Sequence, residues 1–557
     1  MHSMKRVITI SASLLVICLI YSCGSDVQKA EQTKTVFRYN ESAGITSLDP
    51  AFSRSIENIW AVNQLFNGLV QMDDNLNVKP CIAKSWEISD DGLMYTFHLR
   101  NDVFFHDHPI FKDSIGRKVV ASDFVNSFLR LTSPEIASPG EWIFNNIDKS
   151  LKSSYLGFVA THDSTLQIYL QKAFPPFLGL LTMQYCSVVP QEVVDFYGND
   201  FRNHPIGTGP FRFKIWKENE KLIFVKNDNY FEKEGDDRLR YLDAVSISFI
   251  KDRQSSFLEF IKGNFDFLSG IDGTYKDDVL SKEGKLSEKY VGKINLDIHP
   301  YLKTDYLGIV VDEQLDIVKN SPLKLKAIRQ AINYGFDRQK MIGFLRNNIG
   351  KAATAGFVPK GMPGYEKFNV KGYTYNPDMA RELLTTAGFP EGKGLPEIKL
   401  VTTSMYLDLC EFIQSELKEI GINLKVEVLS PAIHSEMVAR QGVNFFRKSW
   451  VADYPDAENY LALFYSKNFA PEGPNYTHFK NAKFDDLYEQ AQTETDEQKR
   501  YEYYGLMDQI IIEESPIVPL YYDEAVVFYH NNISGLSSNP LNLLSLKKVK
   551  KALPAKP

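Results

Sequence analysis

One apolar run near the start, residues 7–20, divides this chain into two parts with different fates. It covers about 14 positions, short of the roughly 20 that a helix needs to cross a bilayer. Lys5 and Arg6 precede it, the charge pattern of a targeting segment rather than of a structural element. No later stretch reaches transmembrane length, so the rest of the chain is expected to bury its apolar side chains in water-facing domains. At 557 residues there is chain enough for two or three lobes with substantial cores. A hydrophobic share of 44% and a charged share of 24% fit that expectation.

The run ends in Ile20-Tyr21-Ser22-Cys23-Gly24, which resembles a bacterial lipobox. The resemblance implies a signal peptide over residues 1–22 and acylation of Cys23 after cleavage. Residues 23–35 then form a polar, lipid-anchored tether to a bacterial membrane. Tyr21 is bulkier than the pattern usually has there. An uncleaved apolar anchor, or a signal peptide cut elsewhere, are the alternatives.

The formal net charge is −7, and loss of Lys5 and Arg6 makes it more negative. That balance argues against nucleic acid, whose phosphates need clustered Lys and Arg. The 29 tyrosines and 37 phenylalanines suit either large buried faces or an aromatic-lined cleft. With Cys18 in the leader and Cys23 lipidated, Cys81, Cys186 and Cys410 remain. They allow at most one disulfide, show no metal spacing, and are most simply buried small hydrophobes. His106-Asp107-His108 has no third ligand in sight, so neither a metal nor a cofactor is expected. Gly-x-Ser-x-Gly, His-Glu-x-x-His and P-loop patterns are missing from the sequence. No carboxylates are placed for acid–base work, and the chain reads as a binder rather than an enzyme.

Along the body, residues 36–39 and 95–99 alternate as strands, and 56–69 has helical spacing. Ser122 can cap a helix through Phe124, Phe128 and Leu131. Gly207-Thr208-Gly209-Pro210-Phe211 signals a turn into a strand pair, 211–217 and 221–226, and 241–250 forms another strand. Ser321-Pro322 and Asn376-Pro377 each pair an N-cap with proline at the first helical position. The second of these helices ends at Gly388. A helix over 406–420, stopped by Gly421, precedes strand 422–429, a helix-to-strand alternation expected of an α/β layer.

Several stretches, colinear over most of the chain, carry a family resemblance. They are Ser47-Leu48-Asp49-Pro50, Phe66-Asn67-Gly68-Leu69, Ala83-Lys84-Ser85-Trp86-Glu87, the Gly207 turn, Asn229-Tyr230-Phe231, Arg329-Gln330-Ala331-Ile332-Asn333 with Asp337-Arg338, and the Asn376-Pro377 helix. Together they resemble the extracytoplasmic solute-binding proteins of bacterial ABC importers, in the oligopeptide-, dipeptide- and nickel-binding class. The resemblance implies a two-lobed periplasmic binding-protein clamp of type II with an additional third domain. One lobe would be discontinuous, 36–76 plus 196–298 plus 519–557. The additional domain would be 77–195 and the other lobe 299–518, with ligand between the lobes.

The same resemblance assigns the site. Trp450-Val451-Ala452-Asp453 places Asp453 where peptide binders receive the ligand's α-ammonium; on spacing alone, the better reading is that Asp453 caps a turn before Pro455. Arg447, and by weaker correspondence Arg440, match arginines that meet the ligand's carboxylate. Tyr301, Tyr306 and Tyr521 or Tyr522 match aromatic positions lining the cleft. Arg54 stands where oligopeptide binders have an acidic residue, and Trp142 lies near the altered contact Ser138-Pro139-Gly140. Lys303 and Val451 occupy positions that form a disulfide in some relatives. The reading that follows is a periplasmic, monomeric lipoprotein that captures short peptides for ABC permease subunits served by a separate ATPase. A same-fold receptor for a nickel chelate or sugar, and a sensing or scaffolding lipoprotein uncoupled from transport, are the alternatives.

Overall fold

The computed structural model describes residues 34–150 and 156–553. The apolar run, Cys23 and the tether up to residue 33 lie outside the described residues. Among the described residues, no helix is long and apolar enough to cross a membrane.

An 11-stranded mixed sheet runs through the molecule. Its order is Leu424–Val428, Ile398–Thr402, Phe445–Val451, Ile294–Ile309, Ile517–His530, Phe267–Ser269, Val36–Asn40, Ala244–Ser248, Lys221–Lys226 and Phe211–Lys217. A short strand, Lys351–Ala352, pairs beside Ile517–His530. The two longest strands, of 16 and 14 residues, are antiparallel neighbours at the middle of this order. Each pairs with one half of the sheet on its other edge, so these two strands carry the sheet from half to half. Their register shifts between Pro300 and Thr304, an irregularity of the kind that bends a strand. On the other edge of Ile294–Ile309, Lys303 lies directly opposite Val451 of the strand Phe445–Val451. It makes an ion pair with Asp523 at 2.7 Å.

Each half buries its own core. Leu307, Ile328, Ile332, Leu384, Leu400 and Ile413 pack together in one half, and Phe37, Val245 and Ile247 in the other. A separate four-stranded sheet, Ala83–Ile88, Met94–Leu99, Thr165–Tyr169 and Phe158–His162, carries the helix Ala121–Leu131. Its Phe97, Phe124, Phe128 and Phe158 join the core of Phe37, so this sheet and the Phe37 half of the large sheet share one apolar interior. Cys81, Cys186 and Cys410 are free and buried.

Local signals were met with informative exceptions. Asn376 accepts from Met379 N at 3.0 Å and Gly388 takes a left-handed φ of +90°, as a capped helix requires. Ser321 caps only the short turn Pro322–Lys324, and the helix proper, Lys326–Tyr334, starts after the extended Leu325. Ser122 lies inside its helix rather than at the cap. There Asp123 reaches back to Val120 N at 2.9 Å, and Arg117 holds the same carboxylate. The helix Ile56–Leu65 stops before residue 69 because Leu65 O accepts from Gly209 N at 2.8 Å.

That last contact explains the Gly207 turn. A β-carbon on Gly207 would sit 2.2 Å from Leu65 O, and one on Gly209 2.5 Å from Gln64 O. The buried His106 clamps the same turn: its backbone N donates to Gly207 O, and its Nε2 lies 3.1 Å from Gly209 O. Burial lowers its imidazole to about 4, the state suited to a neutral, hydrogen-bonded core histidine. Gly209→Ala is expected to destabilise the protein by about 3 kcal/mol or more, since rigid backbone must move. A denaturant midpoint within error of wild type would contradict this close packing.

Candidate functional site

The strand Phe445–Val451, an inner strand of the large sheet, carries Trp450 near its C-terminal end, and Asp453 follows two residues beyond it. Ala452 N donates to Leu302 O at 2.9 Å, so the chain stays paired to the neighbouring long strand just past the strand's end. Asn459 then fixes both side chains. Trp450 Nε1 donates to Asn459 Oδ1 at 2.9 Å, Asp453 N donates to the same oxygen at 3.2 Å, and Asn459 Nδ2 donates to Asp453 Oδ2 at 3.3 Å. Asp453 keeps a solvent-facing surface. Even so, the protein around it excludes enough water to push its carboxyl above the usual range, against the pull of Asn459 and of the Arg54 charge. Protein packed on one side of Asp453 thus disfavours its charged form while its other side stays exposed. Its remaining oxygen is free to accept from a cation.

Arg54 comes from the other half of the molecule. It is exposed, makes no ion pair among the described residues, and its charge acts on Asp453, Tyr185 and Tyr476. Trp142 reaches across in the same region, its ring centroid 6.1 Å from that of Tyr454. Tyr301 is half-buried, and its phenol, raised chiefly by burial, feels Lys303, Asp523 and Glu57. Arg54 and Trp142 thus act on Asp453 and Tyr454 from the other half, and the phenol of Tyr301 feels Glu57 of that half.

The other expected positions are placed differently. Arg447 is buried, ion-paired to the fully buried Asp305, and stacked over the Tyr406 ring. Burial lowers its guanidinium to about 10. It belongs to a closed charge cluster in which Lys303 lies 3.2 Å from Asp305 and Arg346 pairs with Asp523. Tyr521 is buried in that cluster, its hydroxyl 3.2 Å from Arg346 Nη1. Tyr306 is 2% exposed and packs edge-on against Phe357, which puts it in the core beneath the cleft rather than on its wall. Tyr522 is likewise buried, donating to Gly356 O at 2.7 Å. Arg440 is exposed and faces Glu436 on its own helix at 3.6 Å. Val451 is exposed, and Ala452 is buried in its strand pairing.

Residues that sequence reading passed over include Asn459, Tyr185, Tyr476 and Lys448, which stand in no motif of their own. Other motif residues turn out to be scaffolding. Asp49 forms a fork with Arg130 at 2.5 and 3.0 Å, and Arg338 donates to backbone carbonyls at Asn333 and Pro519. The lysines of the basic tail are tied down too, Lys547 on Glu232 and Lys551 on Asp266. Among the described residues, no cluster of three or more metal-ligating side chains is present.

Comparison with known proteins agrees with this architecture. The family model described as bacterial extracellular solute-binding proteins, family 5, matches residues 77–471. The glutathione-binding protein GsiB of Escherichia coli O1:K1 is 25% identical over 501 residues, covering 88% of this chain and 90% of its own. The periplasmic binding protein DppA of Helicobacter pylori, solved with the peptide STSA, superposes with a TM-score of 0.74 at 27% identity. That superposition spans 94% of this chain and 99% of the other. HbpA2 of Haemophilus parasuis shares the fold with a TM-score of 0.78 at 24% identity, over 93% and 100% of the two chains. A two-lobed binding-protein clamp of mixed α/β structure, matched through most of its length by a single family model, places this chain among the bacterial extracellular solute-binding proteins of family 5.

Proposed function

We propose that this protein captures short peptides in the cleft between its two lobes and presents them to an ABC permease powered by a separate ATPase, without altering them chemically. The observation that carries this reading is Asp453, a carboxylate open on one side, half-desolvated, and oriented by Asn459. An α-ammonium leaving water loses several kcal/mol of hydration unless a carboxylate and further acceptors replace it. Asp453 supplies the carboxylate, and a charged hydrogen bond there also sets which end of the ligand lies where. The glutathione-binding and peptide-bound relatives support a ligand with an amino terminus.

With lobes at 36–76, 196–298 and 519–557 against 299–518, the strand irregularity after Pro300 would lie at the junction, where a hinge would act. Ligand contacting both lobes favours the closed state by its differential affinity. Acylation of Cys23 would hold a monomeric receptor in the periplasm close to its permease. Native mass spectrometry of protein purified from its own cells tests the reading. A ladder of bound peptide masses is expected; a single sugar or metal-chelate mass would sink it.

A further inference from the structure

We infer that Lys448 and Arg54, which converge on Tyr476, form an anion-receiving subsite beside Asp453, taking an acidic group carried on the amino-terminal residue of the ligand. This rests on the peptide reading and specifies its substrate class.

Lys448 lies in the middle of the strand Phe445–Val451, directly opposite Tyr306. Strand alternation puts it on the same face as Trp450, away from Arg447 and its Asp305 partner. Its ammonium stands 4.1 Å from the centroid of the Tyr476 ring and is half-buried. Other half-buried lysines of this protein sit on carboxylates, Lys303 on Asp305 and Asp523 and Lys547 on Glu232. Lys448 makes no ion pair among the described residues. Its charged neighbour is instead the like-charged Arg447, and burial with that repulsion lowers its amine to about 8. A ring face replaces only part of an ammonium's lost hydration.

Arg54 is the second cation without a partner, and its field reaches Tyr476 as well as Asp453. Lys448 stands at the face of the Tyr476 ring, and the charge of the exposed Arg54 acts on both Tyr476 and Asp453, so a negative charge placed among them would meet two cations that hold no carboxylate. The Tyr476 hydroxyl adds a donor, and Arg54 offers a planar fork suited to two carboxylate oxygens. The geometry asks for a carboxylate close to the ammonium. A γ-linked glutamyl residue carries one on its α-carbon, and an α-linked aspartyl or glutamyl residue carries one on its side chain.

Calorimetric titration of the full-length protein in detergent with Glu-Ala-Ala, γ-Glu-Ala-Ala and Gln-Ala-Ala separates these cases. At least one acidic peptide is expected to bind about tenfold or more tightly than Gln-Ala-Ala. Which of them holds the margin identifies the source of the carboxylate. Lys448→Met, and separately Arg54→Gln at the exposed position, should shrink the margin to about twofold. Equal affinity for acidic and neutral peptides in the wild type, or a margin that survives both substitutions, would overturn the subsite and leave peptide capture standing. Failure of all three peptides to bind would overturn both.

Discussion

Asp453→Asn should weaken peptides with a free amino terminus by about 100-fold, while N-acetylated versions of the same peptides lose little. The substitution keeps the size of the side chain and its contact with Asn459, so the structural role is largely preserved. It removes the charge that balances an ammonium brought out of water, a loss of roughly 2–5 kcal/mol for one partner of a desolvated charge pair. Parallel titrations with both peptide forms measure the difference, and equal losses for the two would remove Asp453 from this role. The acid limb adds a second readout. Burial holds the Asp453 carboxyl above the usual range, so it takes up a proton earlier on acidification than a free aspartate. Affinity for free amino termini should fall correspondingly early, and that for acetylated peptides should not follow.

The second large effect concerns stability. Asp305 is wholly buried between Arg447 and Lys303. Asp305→Ala leaves two enclosed cations sharing fewer anions, and breaking a buried pair from one side costs about 3–5 kcal/mol. Adding Arg447→Met should recover much of that loss, because an apolar side chain of similar length fills the space without an unpaired charge. Denaturant midpoints of the single and double variants test it. A double variant no more stable than Asp305→Ala would show that the pair is not the source of the cost. The cluster also gives Arg447 a buried carboxylate as its ion-pair partner before any ligand arrives.

Lys303 and Val451 illustrate how an aligned position changes chemistry without changing place. They face each other across the ladder, as residues able to form a cross-strand bridge must. Here Lys303 turns instead to Asp305 and Asp523. The ion pair with Asp523 thus ties Lys303 to the other long strand, Ile517–His530, rather than to the strand that carries Val451.

The amino-acid sequence by itself determined the local pieces. Alternation over 211–217 and 221–226 became the strands Phe211–Lys217 and Lys221–Lys226, and Asn376-Pro377 began the helix Pro377–Thr386. Such signals depend on neighbours within a few residues, through backbone geometry and capping hydrogen bonds. The Trp450-to-Asp453 spacing was equally readable, although it was the family resemblance and not the spacing that gave it a ligand. Tertiary structure decided what each polar side chain meets. Arg447 and Lys448 are adjacent in sequence, yet one is neutralised by Asp305, more than 140 positions away, and the other has only a tyrosine ring. Strand register made that choice by sending successive side chains to opposite faces. The same register enclosed Tyr306, while Asp453, two residues past the end of its strand, stayed exposed. Whether a charged or aromatic residue serves a ligand or the core is a matter of burial and partners contributed by distant segments, and no local pattern encodes it.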